Sequence, residues 1–231
     1  MKIEMTHTLH RVGDRESLKK DYVVYGLSAQ DSELTGRAHE KRDTKEVHTR
    51  FMEICMKHDP VNAGCIYPSS DPYSLTLAKG NVFDEMKPRM LPFTETLTVY
   101  DDKEKVLAVL EDLKAADLGM SIVVSGIFDE VDECCREAGL ARHTVNIALG
   151  IWGREDLIPE RKVLDVVTMC GHGLVSRHLV KDFVDKVRKG LLTADEAGTK
   201  LGAQCVCGAF NTKRAADLIR EMASGGGGPV K

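Results

Sequence analysis

The chain has 231 residues, enough for one large domain or two small ones with a substantial core and no need of disulfide support. Its formal net charge of −4, with no basic stripe interleaved with aromatics, argues against general nucleic-acid binding. No apolar run approaches the ~18 residues of a membrane span, and Met1-Lys-Ile-Glu-Met-Thr-His7 lacks the apolar stretch of a signal peptide, so a cytoplasmic protein with no membrane partner is expected.

In chain order, Asp21-Tyr-Val-Val-Tyr25 reads as a strand and about Glu40 to His58 as a helix. From Asp59 to Leu91 the chain collects four of its seven prolines and reads as loops with short insertions. Residues 1–91 are therefore expected to form a less regular α+β portion, with a boundary near residue 92. Residues 92–223 read as an α/β core and 224–231 as a flexible tail. Thr96–Tyr100 is a strand. Lys103–Ala116 carries Val106, Val109, Leu110 and Leu113 at helical spacing, and Met120–Ser125 is a compact apolar strand. A helix follows to Ala138, closed by Gly139, and His143–Leu149 alternates as a further strand.

Beyond Trp152 and Pro159, the run from Val163 reads as a strand ending at Cys170. The next helix repeats Val175, Leu179, Phe183 and Val187 and stops at Gly190. Thr193-Ala-Asp-Glu196 is a capping box for a short helix to about Leu201. Asn211 caps the last helix, whose apolar side is Ala215, Leu218, Ile219 and Met222. Alternating strands and helices favour an α/β fold with a mostly parallel sheet and flanking helices.

The seven cysteines are expected to be reduced. Cys55, Cys134 and Cys135 lie at helical core positions and read as small hydrophobes. Cys170 is expected where a strand gives way to a helix N-terminus, which would stabilise a thiolate and lower its pKa. Cys205-Val-Cys207 repeats the arrangement before the final helix. Cys170, His172, Cys205 and Cys207 together offer three sulfurs and one imidazole, a ligand set that fits zinc or an iron–sulfur cluster. Gly171, Gly173 and Gly208 permit the turns needed and are expected beside a cofactor. Cys65, in Asn62-Ala-Gly-Cys65, is a possible further ligand from a loop. His7 and His10, expected mainly at the surface, are auxiliary candidates, and His143, which opens a strand, is expected as a buried, satisfied histidine, with a place facing the same pocket as its alternative. Lys213 and Arg214 oppose the dipole of the last helix and read as a solvated basic patch.

The segment Met169-Cys-Gly-His-Gly173 resembles the active-site cysteine segment of the cofactor-independent proline racemase and diaminopimelate epimerase families. The resemblance covers five residues. It implies proton removal by one thiolate and return by an opposing thiol, with Cys170 as one partner and Cys205 or Cys207 as the other. The expectations are thus a metal or cluster protein with a small-molecule substrate or redox partner, a metal-free thiol enzyme, or an interaction module with structural cysteines.

Overall fold

The structure, a computed structural model, describes residues 11–28, 44–66, 74–91 and 95–225. Five strands, β1 (Tyr22–Ser28), β2 (Asn62–Ile66), β3 (Ser74–Thr76), β4 (Glu95–Tyr100) and β5 (Met120–Ser125), form one sheet in the order β3-β2-β4-β1-β5. Every neighbouring pair is antiparallel. The expected mostly parallel sheet is therefore wrong. The strand–helix–strand unit does exist, as β4, α4 (Lys103–Ala116) and β5. Its two strands are not neighbours, because β1 is inserted between them and runs against both. The sheet takes β1–β3 from before residue 92 and β4 and β5 from after it.

Two other expected strands are absent from the sheet. Val163–Cys170 is mostly helical, as α6 (Arg161–Val167), with Val163, Leu164, Asp165 and Val166 all buried. A short apolar run has no periodicity that separates a buried helix from a buried strand. Here the run packs against both α7 (Arg177–Arg188) and α9 (Thr212–Ser224), so apolar residues are needed all round. Residues 141–152, which include the expected strand at His143–Leu149, carry no helix or strand and are exposed throughout.

Alternation along the strands sorts side chains to two faces. Tyr22 and Val24 of β1 join Ala63, Cys65 and Tyr100 on one face, under α2 (Thr44–Met56), α4 and α5 (Phe128–Glu137). On the other, Val23, Ile66, Leu97 and Val99 pack against α6, α7, α8 (Ala194–Gly202) and α9. The chain is thus a three-layer sandwich. Two short helices, α1 (Arg15–Leu18) and α3 (Phe83–Met86), complete the α-helices among the described residues.

The helices start where the sequence signals them. Asp102 accepts from the Glu104 N–H at 2.9 Å, Ser176 caps α7 and Asn211 caps α9. Both halves of the Thr193/Glu196 capping box form. On α2, His48, Phe51, Met52 and Cys55 make the buried stripe, and on α4 it is Val106, Val109, Leu110 and Leu113, as the spacing requires.

Candidate functional site

Cys170 follows the C-terminal end of α6 and precedes α7 by seven residues. It is therefore not at a strand end or a helix N-terminus. The rationale for a depressed thiol pKa fails with that placement: Cys170 is raised, by its hydrogen bond with Cys205 and then by burial. What survives is convergence. The Cys170–Gly173 turn and the 203–210 turn between α8 and α9 bring Cys170, Cys205 and Cys207 together in the core between helices and sheet.

The three sulfurs form a chain. Cys170 hydrogen-bonds Cys205, and the Cys205 Sγ lies 3.6 Å from the Cys207 Sγ. The hydrogen bond from Cys170 favours the Cys205 thiolate, but its interaction with Cys207 and its burial outweigh that and push it up to about 11. Cys207 sits at the accepting end. The hydrogen bond from Cys205 lowers its pKa against the opposing effect of burial, helped by the Ala209 N–H and the charge of Arg11.

Backbone N–H groups near each sulfur favour its thiolate: those of His172 and Leu174 at Cys170, that of Cys207 at Cys205, and that of Ala209 at Cys207. Cys55 and Cys65 are equally buried, but burial raises both to about 12 with no backbone N–H opposing it. Turns that aim N–H groups at sulfur distinguish the three cysteines from packing thiols. Among the described residues, no group of three or more His, Cys, Asp or Glu side chains is placed so that it could hold a metal ion. The sulfur chain is an open row.

The glycines serve this geometry. Gly208 has a φ of 77°, and a Cβ on it would lie 2.7 Å from the Ala63 carbonyl and the Gly64 nitrogen. No other residue fits there without displacement of the turn or of β2. Gly173 also has a positive φ, 68°, but open space around it, and Gly171 is half-buried in the same turn. Neither shows more than a turn-forming role.

Two expected ligands are placed elsewhere. Cys65 is on β2, as a strand residue and not in a loop, and faces the opposite core, beneath α2. Gly64, one residue earlier, is the one that meets Cys207. Successive strand residues point to opposite faces, so contact at 64 excludes Cys65 from the cluster. His172 contributes its backbone N–H to Cys170 while its side chain is exposed. His143 is exposed beside Thr144, with 3.0 Å between Nδ1 and Oγ1. His7, His10 and the tail beyond Gly225 lie outside the described residues.

Sequence reasoning missed the charged support of the site. Arg214 is 2% exposed and donates to Asp21 Oδ2 (2.9 Å), Ser17 Oγ (2.9 Å) and the Val12 carbonyl (2.8 Å). Arg11 donates to the same carboxylate oxygen at 3.3 Å and, through Nη2, to the Ala209 carbonyl beside Cys207. Asn211 Nδ2 reaches Asp21 Oδ1 (3.2 Å) and the Lys20 carbonyl (2.7 Å). The expected solvated basic patch is therefore not found at Arg214, while Lys213 pairs with Asp101. The only sequence signal was the unfavourable pair of cations in the first turn of α9, which needs a buried counter-charge.

A cleft of about 840 Å³ runs around β5, lined by that strand, by α5 residues such as Phe128, by residues 140–148, and by Arg11, Asp21 and Tyr25 from the neighbourhood of the cysteines. A smaller, charged depression lies over Arg214 and Lys162. Neither is lined by Cys170, Cys205 or Cys207. No protein-family model matches the chain, and no curated protein or solved structure matches it.

Proposed function

We propose that Cys170, Cys205 and Cys207 bind a thiophilic metal, zinc or the iron of an iron–sulfur cluster, as the working centre of the protein. The observation that carries this reading is the convergence of the three buried cysteines in one part of the core, with the Cys205 and Cys207 sulfurs side by side. Backbone N–H groups near each sulfur favour the thiolate, the form that ligates metal. The 3.6 Å between Cys205 and Cys207 suits two ligands of one tetrahedral ion, since Zn–S bonds of ~2.3 Å hold sulfurs ~3.8 Å apart. A disulfide would require ~2.05 Å.

Charge supports the same reading. Three thiolates on a divalent ion carry a net negative charge, and the Arg11 guanidinium lies where it lowers the Cys207 pKa. A cysteine triad leaves one position for a further donor, such as a substrate or redox partner. A metal-free thiol-pair enzyme would need room for a substrate between its sulfurs, and here Cys205 occupies the space between Cys170 and Cys207 in the hydrogen-bonded row.

The test is anaerobic purification with elemental analysis and absorption spectroscopy, followed by titration with Zn²⁺ or Co²⁺ and reconstitution with iron and sulfide. Stoichiometric binding that is lost in Cys205→Ser and Cys207→Ser and kept in Cys65→Ser supports the proposal. A wild-type protein that neither carries nor takes up any of these overturns it.

A further inference from the structure

After Leu140, whose N–H closes α5 on the Cys135 carbonyl, the chain runs without helix or strand from 141 to 152 and is exposed at every position. Within 141–152 no backbone–backbone hydrogen bond forms among the described residues. The sequence is nevertheless that of a strand. Val145, Ile147, Leu149 and Ile151 alternate with Asn146, Ala148 and Gly150, and Trp152 follows. Ile147 is 64% exposed, Leu149 70% and Trp152 74%.

The feature next to it is equally unfinished. Among the described residues, β5 is the last strand of the sheet, bonded to β1 on one side only. Natural edge strands are usually protected by charge, proline or a covering element. Met120-Ser-Ile-Val-Val-Ser125 has no charged residue or proline, and neither has His143–Trp152, although 29% of the chain is charged. The cleft of about 840 Å³ separates β5 from residues 140–148 of the same copy.

We propose that residues 141–152 add to the free edge of β5 in a second copy of this chain, so that two copies exchange arms about a two-fold axis. Two arguments select a second copy as the occupant. The first is pairing: a foreign strand on β5 would leave the arm in water, and a foreign groove for the arm would leave β5 open. A two-fold exchange satisfies both, because each copy supplies one arm and one edge.

The second argument is area. Val145, Ile147, Leu149, Ile151 and Trp152 leave roughly 600 Å² in water, at the top of the range for an ordinary monomer's largest apolar patch. Two arms, with the two clefts that receive them, reach the ~1,600 Å² of a standard stable interface. The exchange does not require the metal reading: neither arm nor cleft includes the cysteine triad, although the cleft also touches Arg11 and Asp21.

Sedimentation equilibrium on the full chain tests it. The wild type should have twice the chain mass at micromolar concentration. Leu149→Asp in the arm and Val123→Lys on β5 should each weaken association at least about 100-fold, corresponding to about 2.7 kcal/mol. Both sites are partly or largely exposed in one copy, so each variant should keep wild-type circular dichroism. Mixed together, the two variants should associate more tightly than either alone, because one exchange is then intact and the other pairs Asp with Lys. A monomeric wild type at about 100 µM, well above micromolar dissociation constants, overturns the proposal, whether or not another protein uses the arm. So does a dimer that neither substitution weakens.

Discussion

Gly64 and Cys207 meet through their backbones: a Cβ built on residue 64 would lie 2.2 Å from the Cys207 carbonyl oxygen and 2.7 Å from its carbon. The thiol row is therefore seated on the sheet by a missing side chain. β2 is hydrogen-bonded on both sides, to β3 and β4, so it has little freedom to retreat.

Gly64→Ala should accordingly displace the 205–208 turn. The expected cost is about 1–3 kcal/mol of stability, the range for forcing a methyl into a packed interior. The sulfur row should open as well, with faster alkylation of Cys205 and Cys207 and weaker Zn²⁺ binding. Urea denaturation and timed alkylation read the two effects separately. Wild-type values in both would mean that the contact at Gly64 does not hold the turn.

Removing the shared carboxylate has a different signature. Asp21→Asn leaves Arg11 and Arg214 facing each other in the core without their common anion. Breaking such a buried pair costs about 3–5 kcal/mol. Adding Arg11→Met to Asp21→Asn should return part of the loss, because one uncompensated cation is removed. A double mutant with additive losses would exclude the coupling.

The metal-free protein should weaken on the alkaline side. Cys205 is pushed up to about 11, and Cys55 and Cys65 to about 12, against ~8.5 for an unfolded thiol. Above the unfolded value the unfolded chain has released protons that the folded chain still holds, so stability falls with rising pH. The contribution is full below about pH 8.5 and lost progressively through the folded values. Cys207, lowered in the fold, acts in the other sense: its contribution is present above the unfolded pKa and lost as pH falls through the folded one. Urea midpoints at several pH values from neutral to alkaline, in chelator, check the net decline. Bound metal should flatten it, since ligated thiolates no longer titrate in this window.

Cys65→Ala separates the two cores. Cys65 is fully buried against α2 and remote in face from the triad, so its truncation should cost about 1–2 kcal/mol as a small packing change. Metal stoichiometry should be unaltered. Loss of metal in this variant with unchanged stability would place Cys65 among the ligands.

Much of the helical skeleton was legible in the chain. α4, α7, α8 and α9 have short polar caps followed by apolar stripes, and those are local signals. β4 and β5 were equally plain. The sheet's direction was not, because it depends on β1 entering between them from more than sixty residues earlier. No local pattern encodes which strand fills a gap. α6 was misread because burial on several sides erases the helical period.

At the site, the association of Cys170 with Cys205 and Cys207 was readable, whereas its physical cause was not. Glycine turns suggested convergence, but the helix-dipole argument required a strand-to-helix junction that the fold does not contain. Arg11, Asp21 and Arg214 were invisible as a set, since each is an ordinary charged residue until tertiary contacts bury it. The exclusion of Cys65 became legible only when the fold set Gly64 against the cysteine turn. Once Gly64 contacts the cysteine turn, alternation along β2 turns Cys65 away.

The insertion of β1 between β4 and β5 also sets a schedule for synthesis. As the chain is made from its N-terminus, β1 is complete roughly 70 residues before β4 begins, or several seconds at ribosomal speed. Tyr22, Val23 and Val24 wait that long without either flanking strand, and Asp21 waits longer still for Arg214. The central strand of the finished sheet is thus a late-satisfied segment of the nascent chain, and the one whose interim shielding by a chaperone would matter most.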